Sequence, residues 1–267
     1  MSNTLKQTAA VLLILLALVP AAPGQSLRAG AKGGPKAKET FKGKVPVDEV
    51  EDLLLRHVMA QGGVELFKVR TRIVRGRVEL STSPLPGNFE SYEKAPDKEM
   101  GIINAPLGQF ISATDGVKRW RQAPWGSAAT VGIGGGVSLL RDAAKGKGGF
   151  KFRNAFDAAR LKGRAKVDGR EMIVLAATPK GSKPFLMYFD AETYLLRKQE
   201  PDRASGGWGE ETPPQAIYID SYATVDGVKV PALFRLVIDQ FTMTFRVTEV
   251  RHNVHIDDVL FRSPEGK

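Results

Sequence analysis

The stretch LKGRAKVDGREMIVLAAT, residues 161–178, places an apolar or alternating run on each side of Asp168-Gly169. An Asp-Gly pair between such runs is the strongest short-range signature of a tight β-hairpin, because the turn needs residues that accept a positive φ. The same pair recurs at Asp115-Gly116 and Asp226-Gly227. The runs are short and contiguous, which predicts hairpin connections and a mainly antiparallel sheet.

Alternation of apolar and polar residues predicts where the strands lie. The expected strands are 69–82, 88–94, 99–104, 109–114, 117–121, 161–167, 170–178, 185–189, 194–199, 215–222, 229–239 and 241–251. In the first of them we expect Arg70 and Arg72, together with Arg75 and Arg77, on the wetter side. The tail from Asn253 onward is expected to return along the surface with Phe261, and Leu260 is expected to anchor it.

Two helices are predicted. The first runs from Val47 to Gln61, because acidic residues at 48–52 suit the positive end of a helix dipole and Gly62-Gly63 can end the helix. Its apolar face is expected to consist of Val50, Leu53, Leu54, His57 and Val58. The second runs from Val137 to Lys145 inside a segment rich in Gly, Ala and Ser, and is interpreted as a lid or plug.

The N-terminus has the layout of a secretory signal peptide. Lys6 is followed by an apolar stretch from Ala9 to Val19, then by Pro20 and the small residues Ala22-Pro23-Gly24. This core is too short for an ordinary membrane-spanning helix. We therefore expect residues 1–24 to direct export to the periplasm, and the alternative is an uncleaved N-terminal anchor.

The chain of 267 residues carries 39 Lys and Arg against 29 Asp and Glu, a formal net charge of +10. Residues 25–45 are basic and rich in Gly, Ala and Pro, which predicts a disordered linker. This segment is attracted to an anionic membrane surface or is only a solvated linker. Residues 46–267 are expected to form one domain. Nucleic acid is not an expected partner, because the basic residues match no recognisable binding motif.

Several strands are apolar on both faces, notably 172–177 and 185–189, and the chain supplies little helix to cover them. A sheet with more apolar surface than the chain can cover suggests a protein that binds a hydrophobic ligand. Methionine and aromatic side chains suit an adaptable apolar site. The candidate lipid-binding residues are Trp120, Met172, Val174, Phe185, Met187, Phe234, Leu236, Phe241, Met243 and Phe245, and the alternative is that they form ordinary core.

The order of elements resembles the outer-membrane lipoprotein-sorting carriers of the Lol type. The resemblance rests on the first helix, Lys94-Ala95-Pro96, Ala113-Thr114-Asp115-Gly116 followed by Trp120 and Pro124, the Gly-rich insertion and Phe261-Arg262-Ser263-Pro264. It covers about 47–266 in element order more than in identical residues. Lol-type carriers usually have Arg before that Pro, where this chain has Ala95.

The resemblance implies a mainly β, α+β fold: a strongly curved antiparallel sheet that forms an unclosed half-barrel, with helices on its concave face. It implies a soluble, monomeric periplasmic chaperone that binds acyl chains of lipoproteins or lipids and carries them between membrane-bound donor and acceptor proteins. The alternative is an envelope sensory or protein-interaction module with the same fold and no transport role.

No convincing catalytic or metal-binding constellation emerges from the sequence. His252 and His255 are three apart, which on a strand points them to opposite faces. Gly132 to Gly136 lacks the Gly-Lys-Ser/Thr ending of a phosphate loop. The chain has no cysteine, which excludes disulfides and thiolate sites. We therefore expect no enzyme activity, no metal and no cofactor. A hydrolase using His252, His255 and Asp257 is the weakest alternative.

Overall fold

The computed structural model describes residues 48–106, 108–124, 155–180, 183–206, 215–239 and 241–264. The expected signal peptide (1–24), the expected linker (25–45), the expected helix at 137–145 and the Gly132 to Gly136 run lie outside the described residues. No helix among those described is both long and apolar enough to cross a membrane.

The first helix, α1, spans Glu49–Gln61 and confirms the sequence prediction. Asp48 caps it, because one of its carboxylate oxygens accepts a hydrogen bond of 3.0 Å from the Val50 amide. Gly62 ends it with a φ of +132°, and a Cβ there would lie 2.6 Å from the carbonyl oxygen of Gly227. A second helix that the sequence did not predict, α2, follows at Val64–Lys68.

The described residues form one antiparallel sheet of twelve strands. The strands are β1 Thr71–Leu80, β2 Ser83–Lys94, β3 Lys98–Ala105, β4 Gly108–Thr114, β5 Arg119–Gln122, β6 Phe156–Val167, β7 Arg170–Pro179, β8 Phe185–Asp190, β9 Leu196–Pro201, β10 Gln215–Val225, β11 Val228–Ile238 and β12 Phe241–His252. Neighbours in the sheet are consecutive in the chain except where β1 pairs with β12. The edges β5 and β6 are not paired with each other, so the sheet is an unclosed half-barrel, as predicted.

The Asp-Gly pairs form turns as predicted, in two different ways. Asp168-Gly169 and Asp226-Gly227 have positive φ at both residues, as a two-residue type I′ hairpin requires. Asp115-Gly116 instead opens a longer turn in which an Asp115 side-chain oxygen accepts hydrogen bonds from the amides of Val117 and Lys118. The local signal was the same in all three places, and the loop length decided the turn type.

We call the face of the sheet on which α1 packs the inner face. Under α1, Leu53, Leu54 and Val58 form one buried cluster with Leu175 and Phe189 of β7 and β8. Further along the same face a second apolar cluster is formed by residues of β1 to β4, β11 and β12. Cross-strand register places the two clusters on one surface, and Val250 packs against both.

The opposite face, which we call the outer face, carries a third apolar cluster. Ile73, Tyr92, Met100, Ala113 and Trp120 lie in one row across β1 to β5. The C-terminal tail covers this row with Ile256 and Phe261, and the Phe261 side chain is fully buried. Phe261 thus anchors the tail, whereas Leu260, the expected anchor, is only partly buried.

Polar contacts also hold the C-terminal tail against the outer face. The indole nitrogen of Trp120 donates a hydrogen bond of 3.0 Å to the Phe261 carbonyl. Asp257 caps a 3₁₀ turn at Asp258–Phe261. The ammonium groups of Lys94 and Lys98 lie 2.6 and 2.8 Å from the Asp258 carboxylate oxygens. Lys94, next to the position where Lol-type carriers have Arg, therefore binds the tail on the outer face.

The sequence prediction placed Arg72 on the wrong side of its strand. Arg70 and Arg77 are exposed as expected, but Arg72 is only 4% exposed and lies on the inner face with Val74 and Val78. Strand side chains alternate with a period of two, so Arg72 and Arg77 cannot share a side of one uninterrupted strand. The Arg72 guanidinium lies 3.7 Å from the Glu93 carboxylate.

Candidate functional site

The candidate site is the part of the inner face that α1 does not cover. Its centre is an aromatic cluster on β2, β11 and β12. The rings of Phe234 and Phe245 are stacked with centroids 4.7 Å apart, and the Phe89 ring meets Phe245 edge-on at 5.3 Å. Phe234 is only partly buried, although its neighbours Phe89 and Phe245 are buried. The inner face therefore presents accessible aromatic surface here.

A glycine makes room for this cluster. Gly76 of β1 lies opposite Phe89 of β2 and beside the irregularity in the pairing with β12. A Cβ at Gly76 would lie 2.5 Å from a Phe89 ring carbon and 2.2 Å from the Arg246 carbonyl oxygen. Any larger residue would displace the Phe89 ring, so glycine in this strand marks a place where a ring crosses the backbone closely.

The region beneath α1 is closed. His57 is 2% exposed, its ring lies edge-on to Phe189 with centroids 4.9 Å apart, and its Nδ1 is 2.9 Å from the Tyr194 carbonyl oxygen. Burial lowers the pKa of His57 to about 4, so the ring is neutral near pH 7 and donates from Nδ1 to that carbonyl. His57 is a packing residue that fixes α1 to the sheet, as its place on the apolar helix face suggested.

At the β5 edge the inner face becomes basic. Arg119 and Arg121 point to the inner side and are buried beside Ser112 and Thr114 of β4. Burial lowers the pKa of both guanidinium groups, that of Arg121 to about 10. These charges adjoin the apolar cluster, which contains Phe110 and Ala123. The part of the inner face that α1 does not cover thus has an aromatic centre and a cationic end.

The ten predicted lipid-binding residues do not share one surface. Seven lie on the inner face, namely Phe185, Met187, Phe234, Leu236, Phe241, Met243 and Phe245. Trp120, Met172 and Val174 lie on the outer face, the first beneath the C-terminal tail and the other two opposite Asp190 and Tyr188. Both faces of β7 are buried, as predicted, and an apolar side chain in that strand therefore does not indicate which face it occupies.

The outer face beside Met172 and Val174 is polar and aromatic. The Lys198 ammonium lies 4.8 Å from the ring centroid of Tyr188 and 5.4 Å from that of Tyr218. The guanidinium of Arg235 lies 5.0 Å from the Tyr218 centroid and pairs with Asp220 at 2.8 Å. This row of cation–aromatic contacts is partly exposed and charged, unlike the aromatic cluster of the inner face.

The residues of the weakest alternative, a hydrolase, do not converge. The Nδ1 atom of His252 pairs with Asp226 at 3.1 Å, His255 is exposed, and Asp257 caps the tail. Within the described ranges no three His, Cys, Asp or Glu side chains are grouped to hold a metal ion. The geometry offers these residues no common substrate.

Sequence reasoning missed four inner-face residues: Gly76, Phe89, Arg119 and Arg121. The alternation in Arg119-Trp120-Arg121 placed the two arginines on one side of a strand, and that was the available signal. It did not show that the side was buried. From the sequence alone neither arginine can be distinguished from an ordinary surface charge, whereas the folded sheet buries both beside Phe110.

A scan against protein-family models gave no match, and a search of curated proteins gave none. Solved structures match in fold. A DUF1329 family protein from Desulfovibrio piger aligns with a TM-score of 0.53 at 13% identity, covering 83% of this chain and 99% of that one. A LolA superfamily protein from Nitrosomonas europaea gives a TM-score of 0.53 at 12% identity, covering 81% and 98%.

An outer membrane lipoprotein-sorting protein domain from Vibrio parahaemolyticus also matches, with a TM-score of 0.50 at 12% identity, covering 80% of this chain and 96% of that domain. At such low sequence identities these structural alignments show a shared fold, and they do not identify the cargo. The resemblance to Lol-type carriers that the sequence indicated is confirmed at the level of the fold.

Proposed function

We propose that this protein is an exported carrier that binds the acyl chains of lipoproteins or lipids on its inner face and moves them through the cell envelope. In this proposal the protein catalyses no reaction. The observation that carries it is the accessible aromatic cluster around Phe234, on the same face of the sheet as α1. The shared fold with a LolA superfamily protein and a lipoprotein-sorting domain supports it.

The contact surface proposed for the acyl chain is centred on Phe234, and its other members are Phe89, Leu236, Phe241, Met243 and Phe245. Phe185 and Met187 lie outside it, because Met187 packs against the cluster beneath α1 and Phe185 pairs with Ala177 of that cluster. Burying a methylene group contributes about 0.8 kcal/mol, so a chain of ten or more carbons gains several kcal/mol from a dry site. A membrane offers the chain a similar gain. Transfer stays reversible because these two gains nearly balance.

The proposal includes the rest of the chain. Residues 1–24 direct export to the periplasm, residues 25–45 act as a basic linker, and residues 46–267 act as a monomeric carrier domain. Its partners are a lipidated protein or lipid and membrane-bound donor and acceptor proteins. Nucleic acid and cofactors have no part in it.

The test combines native mass spectrometry with a binding assay. Protein purified from its own cell envelope should carry co-purified lipid, and the delipidated protein should take up a fluorescent fatty acid. Phe234→Gln should weaken uptake by about tenfold, since it removes an aromatic ring from the site and adds an amide that must be desolvated.

A matched control lies next to Phe234 in the chain. Leu233 is also partly exposed but faces Arg246 on the outer side, so Leu233→Gln should leave uptake unchanged. Absence of co-purified lipid together with absence of fatty-acid uptake would contradict the proposal. Capture of a stable protein partner by a lipid-free chain would then favour the sensory or interaction module.

A further inference from the structure

The inner face ends at β5 in a pair of buried arginines. Arg119 and Arg121 are two residues apart, so they point to the same side, opposite two small hydroxyl residues of β4. Their exposed fractions are only 9% and 8%. The next inner-face residues on the two strands, Phe110 and Ala123, belong to the apolar cluster of the candidate site.

This pair lacks full charge compensation within the described chain. Arg119 has one nearby carboxylate, Glu99, which raises its pKa against the effect of burial. For Arg121 no carboxylate of the described residues opposes the effect of burial, and the neighbouring Arg119 lowers its pKa further. The Nε atom of Arg121 is buried without a hydrogen-bond partner in the described structure. Two cations facing one carboxylate leave a net charge of +1.

Arg72 provides a comparison. It is also buried on the inner face and its Nε atom likewise lacks a hydrogen-bond partner, but its guanidinium has the Glu93 carboxylate at 3.7 Å as a counter-charge. A buried cation without a partner destabilises a folded protein, and a neutral side chain of similar size would avoid that cost. Arg121 thus has the environment of a residue whose partner arrives with a ligand.

We propose that Arg119 and Arg121 bind the anionic head group of the amphiphile whose tail occupies the aromatic part of the inner face. This deepens the proposed function and rests on it. Guanidinium groups match phosphate and carboxylate oxygens with two parallel N–H donors, and a monoanion neutralises the excess charge of +1. The site therefore selects acidic lipids over neutral and cationic ones of the same chain length.

The test uses amphiphiles that share a dodecyl tail: dodecanoate, dodecyl phosphate, dodecanol and dodecyltrimethylammonium. Binding to the delipidated protein is measured by calorimetry in phosphate-free chloride buffer, below the concentration at which each ligand forms micelles. Both anions should bind at least about tenfold more tightly than dodecanol, since a hydrogen bond to a charged group contributes that much or more. Dodecyltrimethylammonium should bind least tightly.

The decisive variant is Arg121→Gln. It should remove the preference for the anions by weakening their binding about ten- to a hundredfold, while the affinity for dodecanol stays the same. Arg121→Lys keeps the charge and should retain part of the preference. The control is Arg77→Gln, which removes the same charge from an exposed position on the outer face and should change neither affinity.

The outcomes are distinguishable. Equal binding of anions and dodecanol to the wild-type protein, or an unchanged preference in Arg121→Gln, would overturn the head-group site and leave the acyl-chain carrier standing. Inorganic phosphate that binds as tightly as dodecyl phosphate would show a site for free anions and would also overturn it. If none of the four amphiphiles binds, both proposals fail. If Arg121→Gln does not fold, Arg119→Gln replaces it and should likewise weaken anion binding while the affinity for dodecanol stays the same.

Discussion

Replacing His57 should change how the stability of the protein depends on pH. His57 lies between α1 and the sheet, 2% exposed, with Nδ1 at 2.9 Å from the Tyr194 carbonyl oxygen. Burial lowers its pKa from 6.5 to about 4. His57→Asn keeps a side-chain N–H near the position of Nδ1 and removes the titrating ring.

The direction of the effect follows from the two pKa values. The unfolded chain protonates His57 below about pH 6.5, whereas the folded protein protonates it only below about pH 4. Between these limits the unfolded state binds more protons, so acidification favours unfolding. One unit of pKa difference corresponds to about 1.4 kcal/mol, and the full loss between pH 6.5 and pH 4 is therefore about 3 kcal/mol.

Urea denaturation followed by circular dichroism at several pH values from 7.5 to 4.5 measures this contribution. The wild-type protein should lose about 2 kcal/mol more free energy of unfolding over that range than His57→Asn loses. The exposed His255 provides the control, because His255→Asn should follow the wild-type curve. Parallel curves for the wild type and His57→Asn would refute the assignment of His57 as a buried neutral residue.

Two further predictions concern the C-terminal tail. Phe261→Ala should lower the free energy of unfolding by about 3 to 5 kcal/mol, because the ring is fully buried. Val259→Ala, at an exposed position in the same turn, is the control and should lower it by less than about 0.5 kcal/mol. Equal urea midpoints for the two variants would show that the tail is not docked on the sheet. Lys94 and Lys98 lower the pKa of Asp258 to about 2, so their stabilising contribution is present above about pH 4 and is lost as the pH falls toward 2. The melting temperatures of the wild type and Asp258→Asn should therefore differ at pH 6 and converge near pH 2, and a difference that is constant with pH would contradict this.

Local sequence rules predicted the hairpins and the first helix correctly. Asp168-Gly169 and Asp226-Gly227 adopt the paired positive φ values that only a few residue types accept readily. In α1 the acidic start, the apolar face and the terminal Gly62 are all set within a few residues of one another. Such patterns depend on interactions between residues close in sequence, so they predict local structure without knowledge of the tertiary fold.

The predictions that needed a choice between the two faces of the sheet were less secure. Arg72 was placed on the wet side and lies on the inner face. Trp120 was grouped with Phe234 and Phe245 as one cavity wall, although it lies on the other face, beneath Phe261. A period of two separates the faces of a strand but does not say which one the fold encloses.

The sequence by itself determined that the chain forms antiparallel hairpins with one amphipathic helix, because turn chemistry and side-chain period act over a few residues. Only the tertiary structure decided which face is enclosed. Packing of α1 against β7 and β8, which lie far from it in the chain, selects that face, and the C-terminal tail covers part of the other. For the same reason only the folded sheet could bring Arg119 and Arg121 out of water and place them at the end of an aromatic surface.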